Sequence, residues 1–261
     1  FAGGHKFRKT RFIPTAGGLT PAEVKDAKET LAALGETGVA DSANSIAERV
    51  RTQWLWAIPL PEGLRPEVVG PLFCGGITVF NPLLQAGVRP VDRVAVVGIG
   101  GLGHMALQFL DKWGCDVTAF SSHADKEAEA RELGADHFVN SADPNALHSV
   151  AGSFDFILVT VNVALDWPAY LAALRPRGRL HFVGVPPAVT TGVMPLIVGQ
   201  KSIAATPLGS PASAATMLDF AARHGIAPLV EHLPLAQVNE ALARLRQGKP
   251  RYRIVLDMEG D

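Results

Sequence analysis

The sequence predicts an α/β fold, a doubly wound parallel sheet with a reduced, partly helical second region; two observations lead there, and a third bears on its binding site. The first is local. Residues 94–98 are a run of valine and alanine ending in Gly98-Ile99-Gly100-Gly101-Leu102-Gly103, and Met105-Ala106-Leu107-Gln108-Phe109-Leu110 follows as an apolar helical pattern. The second is the alternation of strand-like and helical stretches from 93 to 206, which implies right-handed crossovers and a sheet covered on both faces. The third is the end of the second predicted strand, Phe120-Ser121-Ser122-His123, which carries no carboxylate.

A strand, a tight turn and a helix in that order suit a dinucleotide. Gly98 permits the turn, Gly100 lets backbone approach a pyrophosphate, and Gly103 lets helix and strand pack closely. Gly101 and Leu102 complete the loop, and the helix start offers unpaired N–H groups to phosphate. The bare G-x-G-x-x-G also fits a glycine-rich turn with no ligand, but here both flanking elements are present. A Rossmann domain is expected over 82–234. Its strands are read at 94–98, 117–121, 137–139, 154–161, 179–185 and 202–206, in the spatial order 3-2-1-4-5-6. The ligand crevice then lies at the carboxyl ends of the first and fourth strands. Helices are read at 125–133, 167–174, 211–224 and 235–247, and a final strand at 252–257.

The second strand bears on which dinucleotide is bound. A carboxylate near its end accepts from a ribose 2′-OH, whereas Ser121 and Ser122, with Lys126 close behind, would hold a 2′-phosphate by charge-assisted hydrogen bonds. NADP(H) is therefore expected over NAD(H). The same serines would also cap the helix that follows, and the two roles are compatible.

The start of the chain reads differently. Thr20-Pro21-Ala22-Glu23 is a capping box with proline at the first helical position, Val24, Ala27, Leu31 and Leu34 follow at helical spacing, and Gly35 is a stop. Residues 41–50 suggest a second short helix. The expected divisions are an atypical helical segment at 1–50, a remnant and connecting helix at 51–81, the nucleotide domain at 82–234, and a helix and strand at 235–261 returning to the remnant. The chain does not begin with Met, as expected of a fragment, a processed form or an engineered product.

Composition narrows the class. A net charge of −1 with 48% apolar residues is ordinary for a globular protein and gives no nucleic-acid surface. The basic cluster Lys6, Arg8, Lys9 and Arg11 lacks aromatic interleaving and reads as a solvated tail. The apolar stretch 156–165 is shorter than the ~20 residues of a membrane span, so no membrane partner is expected. There is no signal-peptide pattern at Phe1, and two cysteines, Cys74 and Cys115, make no disulfide framework. A cytoplasmic location is expected.

From about Ala47 to Met258 the chain resembles the zinc-type medium-chain alcohol dehydrogenases, and within them the cinnamyl-alcohol-dehydrogenase-like branch of NADP-dependent aldehyde reductases. The resemblance is carried by Ile58-Pro59-Leu60-Pro61-Glu62-Gly63-Leu64, by Pro71-Leu72-Phe73-Cys74-Gly75-Gly76-Ile77-Thr78-Val79-Phe80 and by the glycine-rich segment. Gly134-Ala135-Asp136, Val183-Gly184-Val185-Pro186 and Tyr252-Arg253-Ile254-Val255-Leu256-Asp257 add to it. It implies hydride transfer between a nicotinamide and an aldehyde or primary alcohol, small-molecule substrates, and a homodimer through the edge strand of the nucleotide domain. It also implies that Thr78 lies beside the cofactor, that Cys74 matches a catalytic zinc ligand, and that Val161, Val183, Gly184, Val185, Thr206 and Leu208 lie in segments lining the nicotinamide pocket. The branch uses serines where Ser121 and Ser122 stand. By spacing alone, Thr78 sits one helical turn after Cys74 and shares its side, and a free Cys74 also reads as a small buried residue.

The resemblance also shows a gap. A catalytic zinc needs three protein ligands and an open position, and the family's first Cys and Gly-His-Glu segment have no match here. No cysteine precedes Cys74, which excludes the four-cysteine structural lobe. His5 has the wrong neighbours, and His104 reads as packing or cofactor-adjacent. Stoichiometric zinc is not expected. Three readings therefore stand, the first two an NADP-linked alcohol dehydrogenase or aldehyde reductase and a non-catalytic NADP-binding module, truncated or engineered. A zinc-free quinone-reductase-like relative is the third, weakened by Cys74 and the serine pair.

Overall fold

The structure, a computed structural model, describes residues 57–257. The helices expected before residue 51, His5 and the basic cluster lie outside the described residues.

Six strands form one parallel sheet in the order β3-β2-β1-β4-β5-β6, as expected. They are β1 (Arg93–Val97), β2 (Asp116–Ser121), β3 (His137–Asn140), β4 (Phe154–Val159), β5 (Leu174–Phe182) and β6 (Ser202–Ala205). β1 is central, paired with β2 on one side and β4 on the other. Its sequence is apolar without alternation because both faces are covered. Val94 and Val96 join one core, Ala95 and Val97 the other.

In chain order the helices are α1 (Pro66–Val69), α2 (Gly75–Ala86), α3 (Gly103–Trp113), α4 (Glu127–Glu132), α5 (Pro144–Ser149), α6 (Trp167–Ala173), α7 (Met194–Gly199), α8 (Pro211–His224) and α9 (Val238–Arg246). Side chains of α2, α3 and α8 fill the core on one face, including Phe80, Phe109 and Leu218. Side chains of α5 and α6 fill the other, with Leu147, Tyr170 and Leu171. α8 shows why its limits were legible. Ser210 accepts from the Ser213 N–H at 3.1 Å, Pro211 opens the first turn, and Gly225 closes the helix in a left-handed conformation.

Several boundaries differ from expectation. The strand expected at 154–161 stops at Val159, and Thr160 turns its hydroxyl to the Val97 and Gly98 carbonyls instead. The strand expected at 179–185 starts at Leu174 and ends at Phe182, because Arg175–Gly178 form an extruded segment within its pairing to β4. The helix expected at 125–133 begins as a tight 3₁₀ turn, Ala124–Lys126, before α4. The helix expected at 235–247 likewise opens with a 3₁₀ turn before α9.

One strand was not expected. β7 (Val230–Pro234) pairs in parallel with β8 (Arg253–Asp257), and α9 is the crossover between them. α1, ahead of residue 82, packs against β8, beyond 234. α2 runs through position 82 without a break, and no single helix among the described residues is long and apolar enough to cross a membrane.

The C-terminal strand is tied to the sheet's helices by a charged knot. The Tyr252 hydroxyl donates to Glu129 Oε2 at 2.5 Å, and Arg251 Nε donates to Glu129 Oε1 at 2.6 Å. Hydrogen bonds to a charged acceptor contribute about 1.5–3 kcal/mol. Tyr252→Phe, which keeps the ring and removes this donor, is expected to cost about 1.5–2 kcal/mol. Calorimetry should then show a thermal midpoint lower by roughly 3–6 °C.

Candidate functional site: a cleft at the carboxyl ends of the strands

A cleft of about 280 Å³ opens between the carboxyl ends of β1 and β4, where strand order reverses. Its floor is the glycine-rich turn. Gly98 has φ +91°, a region open to glycine and costly for other residues. A Cβ on Gly103 would lie 1.9 Å from the Gly98 carbonyl oxygen, so helix and strand meet there at backbone contact. Gly100 has nothing within 4 Å of an added Cβ: it faces open space that a ligand can fill. The Thr160 hydroxyl lies 2.9 and 2.8 Å from the carbonyl oxygens of Val97 and Gly98 and holds the turn from below.

His104 locks the first turn of α3. It is fully buried, and its Nε2 accepts from the Leu229 N–H at 3.2 Å. Nδ1 must then carry the proton, which it donates to the Gly100 carbonyl at 3.0 Å. Both ring nitrogens are used, and the ring stacks on Tyr252 at 4.7 Å. Burial holds its pKa down at about 4, helped by the charge of Arg253 and opposed by the Gly100 bond and Glu129. The expectation of a packing or cofactor-adjacent residue holds: His104 supports the loop.

The second wall comes from the end of β2. Ser121 is buried, and its Oγ accepts from the His123 N–H at 3.1 Å, the local capping role weighed from sequence. Ser122 Oγ lies 3.1 Å from His123 Nδ1. Lys126 reaches across to donate to the Ile99 carbonyl at 2.6 Å and sits 5.2 Å from the Tyr252 ring centroid. Its ammonium has two further donors.

Of the residues singled out from sequence, Gly98, Gly100, Gly101, Leu102, Ser121, Ser122, Lys126 and Val161 line this one cleft. Gly103 stands behind it as the packing contact. Gly184 is pressed on the Thr160–Val161 backbone, where a Cβ would lie 2.2 Å from the Val161 carbonyl oxygen. The Val185 N–H donates to Asn162 Oδ1 at 2.7 Å, and Val183 packs partly buried on the core. Thr206 and Leu208 are not among the residues lining this cleft: Thr206 Oγ1 is 3.0 Å from His181 Nε2, and the Leu208 carbonyl accepts from Asn81 at 2.9 Å.

Thr78 and Cys74 differ in burial. Thr78 is buried in α2 with its hydroxyl on the Cys74 carbonyl at 2.7 Å. Cys74 precedes the helix and is exposed, which corrects the reading of it as a buried small residue. No group of three or more His, Cys, Asp and Glu able to hold a metal ion occurs among the described residues, so those residues alone do not make a zinc site.

Sequence reasoning missed His123, Ser141 and Thr160 in the cleft, and above all Arg253, which packs on the glycine loop beside it. Its Nε donates to the Gly101 carbonyl at 3.1 Å. Burial lowers its pKa from the usual arginine value, partly offset by Cys74. No carboxylate lies within ion-pair distance of it among the described residues, so a largely buried cation stands beside the phosphate-type loop.

The family pattern described as zinc-binding dehydrogenase matches residues 101–223. Aldehyde reductase AdhA of Synechocystis sp. is 49% identical over 227 residues, 87% of this chain and 68% of that protein. The chain belongs to the zinc-binding dehydrogenase family. Among solved structures, a cinnamyl alcohol dehydrogenase from Sorghum bicolor superposes with a TM-score of 0.72 at 36% identity, covering 78% of this chain and 60% of that one. The cinnamyl alcohol dehydrogenase of Helicobacter pylori complexed with NADP(H) gives 0.69 at 30% identity, over 78% and 58%. The family member described here thus spans about three fifths of those two chains.

The His104 arrangement carries a pH signature. Its folded-state pKa lies below the unfolded value, so its stabilisation is complete above about 6.5 and is lost as pH falls toward about 4. The loss for this one group is of order 3 kcal/mol across that window. His104→Gln keeps a donor and an acceptor but cannot take up the proton. Urea midpoints measured from pH 7 to 4 should therefore fall less steeply in the variant than in the parent.

Proposed function

We propose that the cleft binds NADP(H), and that the chain is the nucleotide-binding part of an aldehyde reductase or alcohol dehydrogenase acting on small aldehydes or primary alcohols. The observation that carries the reading is the cleft wall at the end of β2. Two serines, a histidine and a lysine converge there, with no carboxylate among the lining residues. The open space over Gly100 and the placement of Arg253 fit the cofactor's diphosphate.

When bound, NADPH supplies a hydride to an aldehyde carbonyl carbon, the reverse of primary-alcohol oxidation. The chain's own residues bind and orient. The backbone N–H groups of the glycine loop and the Arg253 guanidinium would hold the diphosphate. Ser122, Lys126 and the Ser121 hydroxyl, with His123 beside them, hold the 2′-phosphate. Thr160 fixes the turn, and Val161 closes the cleft over Gly98, where a Cβ would lie 2.2 Å from its Cγ1.

The likeness to enzymes along most of the chain favours catalysis over a bare binding module. A reducing compartment, the cytoplasm, suits two free cysteines. A homodimer through β6 is supported by exposed Ile203 on that strand, and by Met194, Ile197 and Val198 on α7 nearby. Light scattering at micromolar concentration should give twice the chain mass, and a monomer there would defeat the dimer.

Cofactor choice gives the main test, read by fluorescence titration of NADPH and NADH. About two charge-assisted bonds at the low end of their range give NADPH an advantage of roughly 10²-fold. Ser121→Asp should reverse the preference. Lys126→Ala should weaken NADPH about tenfold while moving NADH little. Arg253→Gln should weaken both about equally, since both carry the diphosphate. Equal affinity in the parent would show that the serines only cap a turn.

A further inference from the structure

A second cleft, of about 360 Å³, lies at the opposite end of the sheet, where β1, β4 and β5 begin. Its size is at the low end for ligand pockets. We infer that it is a binding site for a phosphate-bearing small molecule with two or more negative charges, held mainly by Arg177 and Arg179.

Four guanidiniums line the cleft against two carboxylates, and the carboxylates are already taken. Arg89 places Nε and Nη2 on Asp92 Oδ1 at 3.0 and 2.8 Å, and its N–H donates to Asp92 Oδ2 at 2.9 Å. Arg175 pairs with Asp155, which also accepts from the Arg93 N–H at 3.0 Å. Arg177 and Arg179 meet only neutral partners, each through Nε: Gln200 Oε1 at 3.1 Å and Ser202 Oγ at 3.2 Å. Their terminal nitrogens make no hydrogen bond among the described residues. A guanidinium held at Nε with its outer nitrogens unused is oriented to fork onto a phosphate.

The backbone points the same way. Between the pairs Phe154↔Leu174 and Phe156↔Arg179, β4 advances two residues and β5 five, so the segment bearing Arg175 and Arg177 is pushed out at the cleft rim. Arg177 adopts φ +66°, a left-handed conformation that its Cβ disfavours and a glycine would adopt freely. Gln200, at φ +50°, is the other such non-glycine position among the described residues, and these two side chains hydrogen-bond to each other. A cation kept in a strained turn, clamped by a second strained residue, has the character of a functional position. Val88 and Phe156 supply an apolar base for the ligand's organic part. Because this cleft and the nucleotide cleft occupy opposite ends of the strands, both can be filled at once.

The test is isothermal titration of the full chain with inorganic pyrophosphate, comparing the parent with Arg177→Gly/Arg179→Gln and with Arg253→Gln. Pyrophosphate affinity is expected to fall at least about tenfold in the double variant and to stay within about twofold in Arg253→Gln. Thermal melting separates this from misfolding. Arg177→Gly relieves the turn, so its midpoint without pyrophosphate should rise by about 2 °C, while most of the pyrophosphate-induced rise should be lost. The inference is overturned if Arg253→Gln abolishes binding and the double variant does not, because pyrophosphate would then sit on the glycine loop. It is equally overturned if no saturable heat appears up to about 10 mM. Length-dependent binding of a single-stranded oligonucleotide without pyrophosphate binding would assign the arginines to a nucleic acid and overturn it too.

Discussion

The architecture of the cleft depends on how closely the first turn of α3 rests on the end of β1. At Gly103 the two backbones touch with no room for a methyl group, and this seats the glycine loop and the start of the helix at the crevice floor. Residues around the contact serve to keep it closed. Thr160, just past β4, bonds the strand end, Gly98 supplies the positive φ that turns the chain, and His104 ties the helix back to the Gly100 carbonyl. Each acts on the same short stretch of backbone. A side chain added there displaces the helix that the site relies on.

The second dependence is on distant chain. Tyr252 stacks on His104, Lys126 lies against the Tyr252 ring, and Arg253 donates to Gly101. The C-terminal strand is thus tied to the glycine loop and to Lys126, two sides of the cleft. Its attachment through Glu129 on α4 joins it also to the helix that follows the serine turn.

Much of this was legible in the sequence, for identifiable reasons. β1 and α3 carry strong local signals: a valine-rich strand, three required glycines, and an apolar helical repeat. α8 announces both its ends through Ser210, Pro211 and Gly225. β7 was hidden because Val230-Glu231-His232-Leu233-Pro234 is half polar and ends in proline, and its pairing with β8 is made across an intervening helix. The extruded segment in β5 was hidden for another reason: nothing local in Arg175-Pro176-Arg177-Gly178 says that both flanking residues pair with one neighbouring strand. At the cleft, contributions next to the glycines or at the end of β2 were readable. Thr160 was absorbed into a strand that seemed longer than it is, and Arg253 lies where no local pattern refers to the glycines.

That last separation bears on how the molecule comes into being. Gly101 and Arg253 are 152 positions apart, so their contact closes one of the longest loops in the fold. Contacts of such sequence separation form late, after local helices and neighbouring strands are in place. During synthesis the glycine loop leaves the ribosome long before its arginine exists. A chain released early would have the sheet and the loop but not the cation that completes the cradle. Tight nucleotide binding then reports that β8 has been made and docked, and stabilisation by ligand is reserved for molecules that hold it.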